Sequence, residues 1–358
     1  MNAGVQQSSM NDALARGLEP RGDDLDDARV REVVAEVADF YRRIRADDSS
    51  LPDPYQAGGE WGVYVENRRS FYDALLNDDI DTAATALRSF WRGDLGPIVS
   101  QYAYYPDLAA GDEAKVSRFT EMLARDYAYW QSMLRLDPSE LEVPVVGEPW
   151  GLVLDDVLVT PLAMRFHLHC RQIAELLRDQ PADERLVAEI GGGYGGMAHR
   201  LSVADPGITY VDFDLPETLV IAAFNLRCVM PERDVHLWSP GDVLDRSTLL
   251  SHDVVLAPHY AIQELDDLSV DLFVNAFSLS EMRREAVEEY MRRIGACGRR
   301  YFLQNNVDRL GVVNRGYERI PCSQFPLDAD KFKTVYFKFD QFQGPAGDYR
   351  ESLHERIG

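Results

Sequence analysis

The chain has 358 residues, 46% of them hydrophobic and 27% charged, enough for one large globular unit or two ordinary ones. A formal net charge of -23 repels polyanions, so neither nucleic acid nor an anionic membrane is expected as a partner. No apolar run nears the roughly 20 residues of a membrane span, and Met1–Gly22 has no apolar signal segment, so the expected location is the cytoplasm.

Residues 1–24 are rich in Ser, Asn, Gly and Asp without periodicity and read as a disordered tail. From Asp26 the pattern turns helical, with Val30, Val33, Val34, Val37 and Phe40 on one face until Asp47 and Asp48. Further helices are expected near 63–76, 80–92 and 113–136, the last striped by Phe119, Leu123, Tyr127, Trp130 and Leu134. Residues 25–160 therefore form a helical N-terminal domain that ends in a Pro/Gly-rich connection from 137. Its apolar stripes need cover, from a lid over a site, from a homodimer interface, or from both.

A helix carrying Leu162, Phe166, Cys170, Ile173 and Leu177 opens the second domain, 161–358. After Pro181, short β-branched runs at 186–190, 208–213, 254–257, 270–275 and 300–303 alternate with helix-length spacers. Such alternation predicts an α/β fold with a parallel, Rossmann-like sheet covered on both faces. Phe332–Phe339 alternates strictly and reads as a late antiparallel strand at the sheet's end. The four cysteines, Cys170, Cys228, Cys297 and Cys322, are scattered and form neither a disulfide framework nor a zinc motif.

The chemistry is concentrated where the first strand meets glycines: Glu189-Ile190-Gly191-Gly192-Gly193-Tyr194-Gly195-Gly196. Glycines at a strand-to-helix turn let a ligand lie on bare backbone, and the following helix offers free N–H groups to a carboxylate or phosphate. The stretch fits the GxGxxG pattern of dinucleotide enzymes and also a GxGxG pattern preceded by an acid. Glu189 separates the two. A carboxylate beside a pyrophosphate is repulsive, whereas the ammonium and sulfonium of S-adenosylmethionine welcome it. Asp212 and Asp214 end the second strand, where a carboxylate can accept from both ribose hydroxyls. Asp214, followed by Leu215 and Pro216, is favoured for that role; a plain helix N-cap is the alternative. His259 and Tyr260 end the third strand beside the expected adenine position.

These residues resemble the sugar O-methyltransferases of natural-product pathways, the nanchangmycin type. The carrying stretches are Glu148-Pro149-Trp150-Gly151, 189–196, Asp214-Leu215-Pro216-Glu217-Thr218-Leu219 and 271–282, which ends Ser278-Leu279-Ser280-Glu281-Met282. The resemblance spans about 148–306 and implies a class I methyltransferase fold acting on a hydroxyl of a sugar or glycosylated small molecule.

A sugar hydroxyl is a weak acid, so a positioned base is expected to take its proton. Glu281, after the fourth strand and its final Asn275, is one candidate; with Ser278 it also reads as a helix capping box. His167 on the helix before the glycines is another, with His169 beside it. Asn305, ending the fifth strand with Asn306, is a third. Asn275, Asn305 and Asn306 occupy places where catechol-type enzymes hold Mg²⁺, and without a carboxylate they predict no essential metal. The cofactor set is thus Glu189, Gly191, Gly192, Gly193, Gly195, Asp214, Leu215, His259, Tyr260 and Asn275. Three other readings stay open: N-methylation of an amino sugar, an NAD(P) oxidoreductase, and a non-catalytic Rossmann-like partner protein.

Overall fold

The structure is a computed structural model that describes residues 3–48, 51–56, 59–99, 105–312, 318–343 and 347–357. Its elements in chain order are helices α1 (Ala3–Leu18), α2 (Asp27–Asp48), α3 (Gly59–Asn67), α4 (Arg69–Leu76), α5 (Ile80–Arg88), α6 (Tyr105–Ala109) and α7 (Glu113–Leu134). A hairpin of β1 (Leu152–Leu154) and β2 (Val157–Val159) follows, then α8 (Ala163–Leu177), β3 (Arg185–Ile190), α9 (Gly196–Ala204), β4 (Ile208–Asp214) and α10 (Pro216–Val229). The rest comprises β5 (Val235–Leu237), α11 (Arg246–Leu249), β6 (Val254–Pro258), β7 (Val270–Ala276), α12 (Arg284–Cys297) and β8 (Gly298–Val307). The short pair β9 (Gly311–Val312) and β10 (Glu318–Arg319) precedes β11 (Phe332–Phe339) and β12 (Tyr349–Arg356).

Eight strands form the central sheet in the order β11-β12-β8-β7-β3-β4-β6-β5. The pairs from β5 to β8 are parallel, and β12 runs antiparallel between β8 and β11. An antiparallel strand slotted before the last one departs from the all-parallel dinucleotide order. It makes the sheet Rossmann-like in the class I methyltransferase sense. Strand order reverses between β3 and β7, and crevices for ligands form at such a switch point, beyond the carboxyl ends.

Capping chemistry and apolar stripes account for the helices. Asp79 accepts from the Thr82 N–H at 3.2 Å to start α5, and Asp112 accepts from Lys115 N–H at 3.1 Å to start α7. In α10 every residue from Pro216 to Leu226 is buried, because the sheet covers one side and α2 the other. A helix hidden all round carries apolar residues all round. The α2–α10 seam is tied by polar groups at its edges. Tyr41 Oη donates to Glu217 at 3.1 Å, and Arg227 pairs with Glu36. No helix among the described residues is long and apolar enough to cross a membrane.

Several expectations are corrected. The tail expected over 1–24 contains helix α1, whose Ala13 and Leu14 are buried and whose Arg16 donates to the Val153 carbonyl at 2.9 Å. Its amphipathicity was too weak to register, yet it has the β1–β2 hairpin and α7 to lie against. The connection from 137 holds that hairpin. The helix expected at 63–76 breaks at Arg68 into two, and the helix that a Ser278/Glu281 capping box would open starts only at Arg284. The strand at 332–339 does lie at the edge and is antiparallel to its neighbour; that neighbour, β12, was missed.

Leu14 is 1% exposed. Leu14→Ala is expected to cost about 2–5 kcal/mol, read as a lower urea midpoint with unchanged slope. An unchanged midpoint would mean that α1 contributes nothing to the fold.

Candidate functional site

Strand β3 delivers Glu189 and Ile190 to the crevice, and the chain then bends through three glycines into α9. Gly191 has φ +81°, and a Cβ there would lie 2.4 Å from Ser278 Oγ. Gly193 has φ +64°. Both positions therefore require glycine. Gly195, left-handed as well, forms the N-cap of α9.

The tip of β4 shapes this bend. Asp212 Oδ1 accepts from Gly192 N–H at 2.9 Å, and Asp214 Oδ2 accepts from Gly193 N–H at 2.9 Å. Asp214 Oδ1 also takes the Leu215 N–H at 2.7 Å, and Leu215 itself is the N-cap of α10. Asp214 is therefore not a simple N-cap; it clamps the glycine turn to the second strand. Glu189 accepts from Tyr210 Oη. Three carboxylates thus meet below one bend, all at most 9% exposed.

Burial raises the pKa of all three. Glu189 is pushed up to about 8 and Asp214 to about 7, in both cases chiefly by desolvation. Asp212 is held well above the usual carboxylate range by desolvation and by the charges of Asp214 and Glu189. Its Oδ2 has no hydrogen-bond partner. Such a cluster favours a cation and disfavours a pyrophosphate.

Of the predicted cofactor residues, Glu189, Gly191, Gly192, Gly193, Asp214, Leu215 and His259 line one cleft. His259 Nε2 faces the Tyr55 carbonyl and must donate to it, while burial holds the ring's pKa near 4, so the imidazole is neutral. The other three support the cleft from behind. Gly195 packs on Leu226, and Tyr260 Oη donates to the Ile44 carbonyl at 2.7 Å. Asn275 Nδ2 donates to the Ile190 carbonyl at 2.6 Å, and its Oδ1 accepts from Asn306 Nδ2 at 2.7 Å.

Among the base candidates, only Glu281 reaches the cleft. The capping-box alternative fails because Ser278–Glu281 is a 3-10 turn and α12 starts later, behind Arg283. Ser278 Oγ instead donates to the Ile190 carbonyl at 2.9 Å, and Glu281 Oε2 accepts from Trp61 Nε1 at 2.9 Å. His167 is corrected: its Nδ1 accepts from Trp130 Nε1 at 2.8 Å, burial holds its pKa near 4, and it is absent from the cleft wall. Asn305 is corrected too, since its Nδ2 donates to Asp340 on the other side of β8. The helix before the glycines does border the cleft, through Leu162 and Phe166.

Sequence reasoning missed the walls supplied by the N-terminal half, Trp61, Ile98 and Val99, and also Phe277 and Tyr290. A helical spacing marks Phe166; nothing local marks the others. Among the described residues, no group of three or more His, Cys, Asp or Glu is placed to hold a metal ion.

No protein-family model matches the chain, and no curated protein matches it. Solved structures similar to it include the [4+2]-cyclase SpnF, at 16% identity and TM-score 0.38 over 53% of this chain and 82% of that one. The pyocyanin biosynthetic protein PhzM is 16% identical with TM-score 0.33 over 55% and 59% of the two chains. An S-adenosylmethionine-dependent methyltransferase from Mesorhizobium loti is 11% identical with TM-score 0.33 over 51% and 96%. All are distant, so the chemistry has to be read from the site's own residues.

A carboxyl whose folded pKa is raised stabilises the fold fully below its unfolded value, near 4.5 for Glu189, and loses that contribution as pH rises towards 8. Glu189→Gln is therefore expected to gain about 2 kcal/mol relative to the unmodified chain between pH 6 and pH 8. Urea denaturation of the ligand-free protein at both pH values measures this; an identical loss in the two proteins would refute the buried charge.

Proposed function

We propose that this protein is an S-adenosylmethionine-dependent O-methyltransferase that methylates a hydroxyl of a sugar or glycosylated small molecule. The observation that carries the cofactor is the trio Glu189, Asp212 and Asp214, buried around a glycine bend at the switch point. Desolvated acids are tolerable where a bound cation meets them. A nucleoside bearing an ammonium and a sulfonium supplies two positive groups and two ribose hydroxyls, which suits these acceptors. The bare backbone at Gly193 fits close approach of such a ligand, since the space a Cβ would take there meets only the Ile98 carbonyl, at 3.6 Å. When bound, the cofactor supplies an electrophilic methyl group on a positively charged sulfur.

The chain's own residues then align and deprotonate the acceptor. Glu281 is the base for the acceptor hydroxyl, and Trp61 Nε1 fixes one of its oxygens at 2.9 Å. The apolar walls Ile98, Val99, Phe166 and Phe277 keep bulk water from the reacting oxygen. A hydroxyl acceptor suits a carboxylate base in this position, because the proton must leave as the C–O bond forms.

Titration calorimetry is expected to show binding of S-adenosylhomocysteine and none of NAD(P)H. Affinity should weaken as pH falls from 8 to 6, because Glu189 and Asp214 take up protons in that range and lose the charge that attracts the ammonium. Binding of NAD(P)H alone would reverse the assignment. With labelled cofactor and a panel of glycosides, Glu281→Gln is expected to lower kcat by about 10²–10⁴-fold while S-adenosylhomocysteine affinity stays unchanged. A kcat within twofold of the unmodified enzyme would remove Glu281 from the reaction.

A further inference from the structure

We propose that a second cavity, behind the partition of Leu162, Phe277 and Arg165, binds a neutral, hydroxyl-rich glycosyl unit of the acceptor. This rests on the methyltransferase reading above and assigns its acceptor a location. The cavity, of about 590 Å³, lies against α7, the start of α8, and Phe342, Gln343 and Gly347. Leu162 lines both this space and the cofactor cleft. Phe277 lines the cleft and Arg165 the second cavity, with the guanidinium carbon 5.0 Å from the centre of the Phe277 ring. One layer of side chains therefore separates the two spaces.

That layer is unusually held. Phe277 has φ +78° and ψ -34°, a region that bulky residues avoid and that persists only where surrounding contacts enforce it. Arg165, 5% exposed, is stacked between Phe277 and Phe342 and pairs with the buried Asp340. A strained aromatic residue backed by a buried ion pair is a costly way to build an ordinary core wall.

The lining identifies the ligand class. Asp126, 8% exposed, sits in the cavity with Arg125 at 3.0 Å, so these charges offset each other as do those of Arg165 and Asp340. Arg118 and Glu121 add one charge of each sign. With Asp340 counted behind the wall, three arginines meet three carboxylates, and no net charge is left to select an anion or a cation. A hydroxyl both donates and accepts, so neighbouring hydroxyls can use a carboxylate and a guanidinium together. By contrast, the cleft walls are mostly apolar and would strip several hydroxyls of water without replacing the lost hydrogen bonds. Leu162, which lines both spaces, is the edge past which one hydroxyl would have to reach the methyl group, with the others left in the polar cavity.

Saturation-transfer NMR on the full chain loaded with S-adenosylhomocysteine tests this, with methyl glucoside, methyl galactoside and methyl rhamnoside as millimolar probes. At least one should bind, and Asp126→Asn and the cavity-filling Met122→Trp should each weaken that binding about tenfold. Calorimetry should find S-adenosylhomocysteine affinity unchanged in both variants. Glycoside binding of unaltered strength in both variants, or no transfer to any of the three probes, overturns the proposal. Failure of the unmodified chain to bind S-adenosylhomocysteine overturns the cofactor reading, and this one with it.

Discussion

Burial of three carboxylates at two adjacent strand tips is the constraint from which the rest of the site follows. Taking a charge out of water costs several kcal/mol unless hydrogen bonds or an opposite charge replace the solvent. Here the replacement is partial. Gly192 and Gly193 give Asp212 and Asp214 one N–H each, Leu215 gives a second to Asp214, and Tyr210 serves Glu189. Those contacts fix the shape of the bend, because the carboxylates reach the amides only where no Cβ intervenes. At Gly192 a Cβ would meet the Asp212 carboxylate at 2.5 Å. The glycines and the acids are thus one device, and the charge still unmet is what a cationic ligand would answer.

The same cleft depends on the N-terminal half for its low polarity. Helix α2 seals the outer face of α10, Tyr260 reaches the Ile44 carbonyl, and His259 reaches the Tyr55 carbonyl. Trp61 then joins the base candidate Glu281 directly. Each bond runs from the helical half to the sheet half, so the cover is registered on the carboxyl end of the sheet. Excluding water strengthens the electrostatic terms inside. A helical cover with this geometry is part of the site, and the two halves act as one.

What the sequence disclosed was local, and what it hid was distant. The glycine bend and the strands β3, β4, β6, β7 and β8 depend on neighbouring residues and short periods and were legible; β5, only three residues long, was not. The segment Tyr349–Arg356 has the polar composition of a surface loop. It forms a strand because β8 and β11 hold it on either side, and Glu351, buried there, accepts from Tyr336 Oη at 2.8 Å. Helix α1 was lost for a similar reason, its one well-buried stretch having partners more than a hundred residues away. Trp61, Ile98 and Val99 enter the cleft from loops and helices whose sequence carries no sign of a ligand. His167 looked chemical only because a free imidazole suits a base; a tryptophan 37 residues earlier in the chain claims its nitrogen.

The amides at the ends of β7 and β8 form a network of their own. Asn275 and Asn306 do cluster behind the crevice, where a metal would sit in a related arrangement. Their hydrogen bonds run elsewhere. Asn306 donates to Asn275 at 2.7 Å and to Gln304 at 2.8 Å, accepts from the Ser280 N–H at 3.1 Å, and Gln304 continues to Ser352 at 2.7 Å. A buried network satisfied along its length rigidifies what it touches. It touches the 275–281 turn from two sides, while the Phe277 N–H donates to the Asn305 carbonyl at 2.7 Å. Locked in this way, the turn can keep Phe277 in its disfavoured conformation. The ring then closes one wall of the cleft, and Glu281, four residues on, is delivered to Trp61. These side chains hold the backbone of the turn still.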